Sequence, residues 1–192
     1  KSANGTATSY SSYAQISFGD NNVQVACSGD IRTLVDYENY ATVSTANARF
    51  CSLFLGCKSL TAAPELPATT LADDCYDSMF YGCTKLTIAP KLPATTLANN
   101  CYYSMFYGCT SLTKAPELPA KTLVFSCYYR MFYGCKNLNN ITMLATNISA
   151  NYCLDTWVDG VASTGTFTKA SAMTSLPSGT SGIPVGWTLV NK

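Results

Sequence analysis

The chain has 192 residues, 47% of them hydrophobic and only 12% charged, and its formal net charge is +1. A charged share about half the usual ~25%, without any Lys/Arg run, excludes a global field that would draw it to nucleic acid or an anionic membrane. There is no histidine, which removes Ser-His-Asp and Cys-His catalysis, the common zinc-protease helix and every mixed Cys/His zinc site.

The chain opens on "KSANGTATSY", without an initiator Met, a signal-peptide core or a lipidation signal, and is read as a mature or trimmed form. Residues 1–45 hold alternating stretches, "AQISFGD" and "NVQVACSGDIRTLVDY", expected to be strands of an N-terminal β cap. A partial copy of a repeat follows as "FCSLFLGCKS" (50–59). Three full copies then run in tandem with a period of 26 residues: "LTAAPELPATTLADDCYDSMFYGCTK" (60–85), "LTIAPKLPATTLANNCYYSMFYGCTS" (86–111) and "LTKAPELPAKTLVFSCYYRMFYGCKN" (112–137). A degraded copy (138–160) keeps Leu138, Leu144, Cys153 and Gly160, with Trp157 where the others have Met131 and Val161 where they have Cys135. Residues 161–192 supply "GTFTKA" and "GWTLV", expected to be strands of a C-terminal β cap, with Trp157 and Trp187 as apolar fillers closing the last layer. The repeat array is thus bounded at 46–160. No apolar stretch approaches the roughly 20 residues of a membrane-spanning helix.

The copies can be compared with one another. Invariant positions are mostly apolar and variable ones mostly polar, as a stack with a common interior and a free exterior requires. Each unit has two parts. "LTKAPELP" is bounded by prolines and is therefore extended. "TTLANNCYYSMF" lacks Pro and Gly and carries Leu97, Cys101 and Met105 at i, i+4 and i+8, which predicts a short helix capped by Thr95 or Thr96 and stopped at Gly108. The expected fold is α/β: a leucine-rich-repeat solenoid of one short strand plus one short helix per repeat, with β-rich N- and C-terminal caps. A repetitive disulfide-rich module is the alternative.

The unit "MFYGCTKLTIAPKLPATTLANNCY" (79–102) resembles the BspA-like leucine-rich repeats of bacterial surface proteins, in the longer variant of Bacteroidetes-type exported proteins. The resemblance covers about residues 46–160. It implies a non-enzymatic, exported protein of the cell surface or outer envelope, adhering to a host or bacterial protein or glycan, without cofactors. A lipid anchor on a segment absent from this sequence belongs to the same expectation. A structural spacer that presents another module, with no ligand of its own, is the second reading, and an enzyme a remote third.

Eight of ten cysteines fall on two ladders, Cys75, Cys101, Cys127, Cys153 and Cys57, Cys83, Cys109, Cys135. Over a helix, Cys101 and Cys109 would stand ~12 Å apart, too far for a disulfide, which needs Cα atoms within ~7 Å. Bridges between units remain open on spacing alone, since layers of ~5 Å bring equivalent cysteines near one another. Buried free thiols are the favoured reading, and Cys27 with Cys51 is the pair left open as a bridge. No Cys-x2–4-Cys pair suggests zinc.

Candidate binding residues form an aromatic strip: Tyr76, Tyr102 and Tyr128 at one position, Tyr81, Tyr107 and Tyr133 at a second, Tyr103 and Tyr129 at a third. With Cys101 and Met105 inward, helical geometry puts Tyr102 and Tyr107 off that face. They either meet a partner or pack on one another between layers. The variable charges Glu65, Lys91 and Glu117 suit a solvated surface, and Asp73, Asp74, Asp155 and Asp159 carry no mark of catalysis.

Overall fold

A computed structural model describes residues 7–9, 12–19 and 22–192. Among the described residues there are seven short strands. Strands β1 (Ala7–Ser9) and β2 (Ser12–Tyr13) pair antiparallel. Strands β3 (Val25–Ala26) and β4 (Leu60–Ala62) pair in parallel. Strands β5 (Asn140–Met143), β6 (Thr166–Lys169) and β7 (Thr188–Asn191) form a three-stranded parallel sheet in that order. Two 3-10 turns, Ile31–Leu34 and Tyr40–Thr42, complete the regular structure of the described residues. In the N-terminal segment residues 14–18 form no strand, only Val25–Ala26 of the second stretch is extended in a sheet, and Asp20 lies outside the described residues.

Among the described residues there is no α-helix, and this overturns the leucine-rich-repeat solenoid of alternating strand and helix. The segment expected to be helical is a run of overlapping turns. Every fourth residue lies in the left-handed region: Asn100 (φ 53°), Ser104 (φ 49°) and Gly108 (φ 68°), with the same pattern in the neighbouring units. A left-handed residue interrupts a right-handed helix and costs an L-residue about 1–2 kcal/mol.

Hydrogen bonds repay that strain. Alternate amides close turns three residues back, as Cys101 to Ala98, Tyr103 to Asn100, Met105 to Tyr102 and Tyr107 to Ser104. The amides between them donate to the next unit, as Tyr102 to Cys127, Ser104 to Tyr129, Phe106 to Met131 and Gly108 to Tyr133, at 2.8–3.1 Å. An α-helix would spend all of these donors internally. Here half of them bond one unit to the next.

The extended half of the unit is also less regular than expected. Pro64, Pro67 and their equivalents have no amide to donate. There β4 joins the first unit to β3 of the N-terminal segment, and the units meet one another through isolated parallel bridges such as Ala62 with Ile88, Lys114 with Asn140 and Leu118 with Met143. Only beyond Pro119, the last proline of the repeats, does a full ladder form, in β5 and β6.

The four-residue turn period sorts the side chains. Cys101, Met105 and Cys109 are buried, and so are Tyr102 and Phe106. Phe54, Phe80, Phe106 and Phe132 stack in one column with ring centroids 5.6 Å apart. Phe50, Tyr76, Tyr102 and Tyr128 stack in another at 5.8–6.0 Å. Trp157 ends both columns: its rings lie 6.4 Å from Tyr128 and 6.0 Å from Phe132. Its indole N–H donates to the Gly182 carbonyl at 3.0 Å, satisfying the one polar atom it buries. Trp187 packs over Gly165, where any Cβ would stand 2.8 Å from the indole and 2.4 Å from the Asn139 carbonyl oxygen.

Candidate functional site

All eight ladder cysteines are buried, and all ten cysteines are free thiols. In one ladder the thiol bonds across units: Cys83 to the Phe54 carbonyl, Cys109 to Phe80 and Cys135 to Phe106, at 3.0–3.1 Å. Burial pushes the thiols of Cys75, Cys83, Cys127 and Cys135 up to about 12. They are protonated at neutral pH and lie out of reach of a substrate. Among the described residues no group of three or more Cys, Asp or Glu side chains could hold a metal ion.

The tyrosines divide in a way the sequence reading did not foresee. Tyr76, Tyr102 and Tyr128 are core residues rather than surface ones; Tyr102 is 2% exposed. Burial raises the ionisation of all three phenols above their usual range. A helix would have turned Tyr102 away from Cys101. The four-residue turn has two adjacent inward positions, and Tyr102 takes the second.

The other five candidate tyrosines lie on the outside, in two ladders. Tyr81, Tyr107 and Tyr133 stack with centroids 4.4 and 4.7 Å apart and rings within 9° of parallel. Tyr103 and Tyr129 stack at 4.7 Å and 12°. Tyr81 is exposed and the other four are half-buried. Desolvation, and then the neighbouring Tyr81, raise the Tyr107 phenol above its usual value.

Arg130 joins the ladders. Its guanidinium carbon lies 5.1 Å from the Tyr129 ring centre and 5.8 Å from that of Tyr133, within cation–π range. Arg130 stands at a position of the repeat that varies between copies. The available signal was that it replaces Ser78 and Ser104 midway between two tyrosine positions. Beside the ladders, exposed Phe125 and Tyr152 meet edge to face at 5.9 Å.

The column holding Tyr103 and Tyr129 has Asp77 in the first full unit. Its carboxylate is almost completely buried and accepts a 2.6 Å bond from the Ser78 hydroxyl. Burial, aided by Asp74 and opposed by that hydroxyl, pushes its pKa up to about 7. Elsewhere on the surface the proline segments form an open groove of roughly 650 Å³ containing Pro90, Lys91, Pro93, Pro116 and Glu117. Glu117 is engaged there by Lys192 at 2.7 Å, a pair about half exposed and worth little. Asp73 pairs through its carboxylate with the Asn99 amide, and Asp155 accepts from Ser181, so both serve to hold neighbouring segments.

What the outward ladders offer chemically is a rigid strip of ring edges and hydroxyls with one cation. Stacking occupies the ring faces between successive units. No family model, no curated protein and no solved structure matches this chain.

Proposed function

We propose that this chain is a non-enzymatic, exported cell-surface interaction protein that binds a partner protein through its two outward tyrosine ladders. The observation that carries the reading is the pair of ladders joined by Arg130: five tyrosines held parallel at 4.4–4.7 Å on one surface. Tyr and Arg are the residues that most often anchor protein interfaces. Here they are immobilised by stacking, so little side-chain entropy remains to be lost on binding.

The same stacking favours a protein over a glycan. A sugar ring docks on an open aromatic face, and each internal face here is covered by the next tyrosine. Export and surface placement are supported by the low charge and by the resemblance of the Met-Phe-Tyr-Gly-Cys block to repeats of BspA-like surface proteins. That resemblance is now one of motif, without the strand-and-helix architecture.

The test is an array of extracellular-matrix proteins and glycans probed with the chain and with Tyr107→Ala and Arg130→Ala variants of unchanged melting temperature. Binding to a protein is expected, with each variant weakening it about tenfold or more, the loss of a hot-spot residue. Absence of binding at micromolar concentration would leave the spacer reading, and binding indifferent to both variants would show that the ladders are not the contact surface.

A further inference from the structure

We propose that Tyr81, Tyr107 and Tyr133 form an oxidative cross-linking site, at which dityrosine bonds join three successive units of the chain covalently. The inference does not depend on a binding partner. It rests on geometry: three phenols from separate units, with centroids 4.4 and 4.7 Å apart and rings 8° and 9° from parallel. Equivalent ring carbons are therefore near neighbours along the ladder. Tyr81, at 37% exposure, opens the ladder to an oxidant.

The oxidant is hydrogen peroxide acting through a haem peroxidase. Each of two phenols gives up one electron and one proton and becomes a phenoxyl radical. The radicals share spin with the ring carbons flanking the oxygen, and a carbon–carbon bond forms between one such carbon on each ring. The hydrogens on those two carbons then move to the oxygens, restoring both aromatic rings and both hydroxyls. The two electrons and two protons removed reduce one peroxide to two waters.

Held at stacking distance, the two radicals meet without diffusion, which is the advantage of an intramolecular step over a bimolecular one. Hinging about the Cβ–Cγ bonds brings one edge of each ring together. The backbone bonds between units, such as Gly82 to Tyr107 at 2.7 Å and Gly108 to Tyr133 at 2.8 Å, hold the partners in register meanwhile. Tyr103 and Tyr129 share this geometry at 4.7 Å and form a second, two-membered site.

Exposure alone leads to a different product. Among the described residues Tyr37, at 62%, and Tyr152, at 59%, are far more accessible. Tyr152 meets Phe125 edge to face, a ring without a hydroxyl, so its radical would couple between molecules and give dimers. Stacking and accessibility therefore lead to different cross-links.

The experiment treats the full chain with peroxidase and hydrogen peroxide, follows dityrosine fluorescence, separates monomer from dimer and maps linked peptides. After denaturation, trypsin places Tyr81, Tyr107 and Tyr133 on separate peptides, because Lys85, Lys91, Lys114, Arg130 and Lys136 lie between or beside them. The expected result is dityrosine in the monomer band, linking Tyr81 to Tyr107 and Tyr107 to Tyr133, in a yield unchanged by tenfold dilution. Tyr107→Phe keeps the stacked ring but removes the central phenol, and both links vanish while Tyr103–Tyr129 persists. Dityrosine confined to dimers, or carried mainly by Tyr37 and Tyr152, would overturn the proposal. So would monomer links from Tyr81 that survive in Tyr107→Phe.

Discussion

Arg130 separates turn from helix with a single pair of substitutions. It lies at φ 50° in the middle of the segment whose spacing suggested a helix. Arg130→Ala and Arg130→Gly remove the same guanidinium and the same contacts with Tyr129 and Tyr133, and differ from one another by one Cβ. In the left-handed region that Cβ crowds the following carbonyl, at about 1–2 kcal/mol. Glycine's extra freedom in the unfolded chain returns about 0.5–1 kcal/mol of this. The glycine variant should therefore be the more stable by about 1 kcal/mol. In an α-helix alanine would be favoured by about 1 kcal/mol instead. Urea unfolding at a common slope measures the difference directly, and for a chain of this size it corresponds to roughly 2–4 °C in melting temperature. An alanine variant more stable than the glycine variant would refute the turn geometry.

Phe106→Ala leaves a cavity in the middle of the phenylalanine column and should cost about 3–5 kcal/mol by denaturant unfolding, far more than the outward Tyr107→Ala. An alkylating agent at mild alkaline pH should label half-exposed Cys27 first and reach Cys75, Cys101, Cys109 and Cys135 only after unfolding, as mass mapping would record; native labelling of Cys109 as fast as Cys27 would contradict the buried ladders. Asp77 gives the chain a pH dependence. Its native pKa of about 7 lies above the unfolded value of about 3.9. Below about pH 4 both states hold the proton. Between about pH 4 and 7 only the unfolded state releases it, so stability falls as pH rises through that window and then levels off. Asp77→Asn should flatten that fall in urea titrations across the range; an unchanged profile would show that Asp77 does not cause it.

Much of the stack was legible in the sequence, because a stack repeats its interior. Phe80, Phe106 and Phe132 recur 26 residues apart and do form one column, and Trp157 falls where a larger filler is needed to close two columns at once. The local conformation was misread for a specific reason. Cys101 and Met105, four apart, fit one face of a 3.6-residue helix and one position of a four-residue turn equally well. What distinguishes them is polar Asn100 and Ser104, which with Gly108 occupy the left-handed corners; Asn in particular is enriched there. Arg130 and Tyr152 occupy such corners without that advantage, and nothing in their side chains announces it. The wrong period then misplaced Tyr102, while Tyr103 and Tyr107 came out on the surface under either geometry.

The most direct test compares the reactivity of Tyr102 and Tyr107 in the folded chain. Tyrosine nitration under native conditions, mapped on peptides over time, reads the exposure of each ring separately. Tyr81, Tyr107 and Tyr133 should be nitrated while Tyr76, Tyr102 and Tyr128 remain protected until the chain unfolds. Nitration of Tyr102 at the rate of Tyr107 would contradict both the turn geometry and the ladder surface built on it.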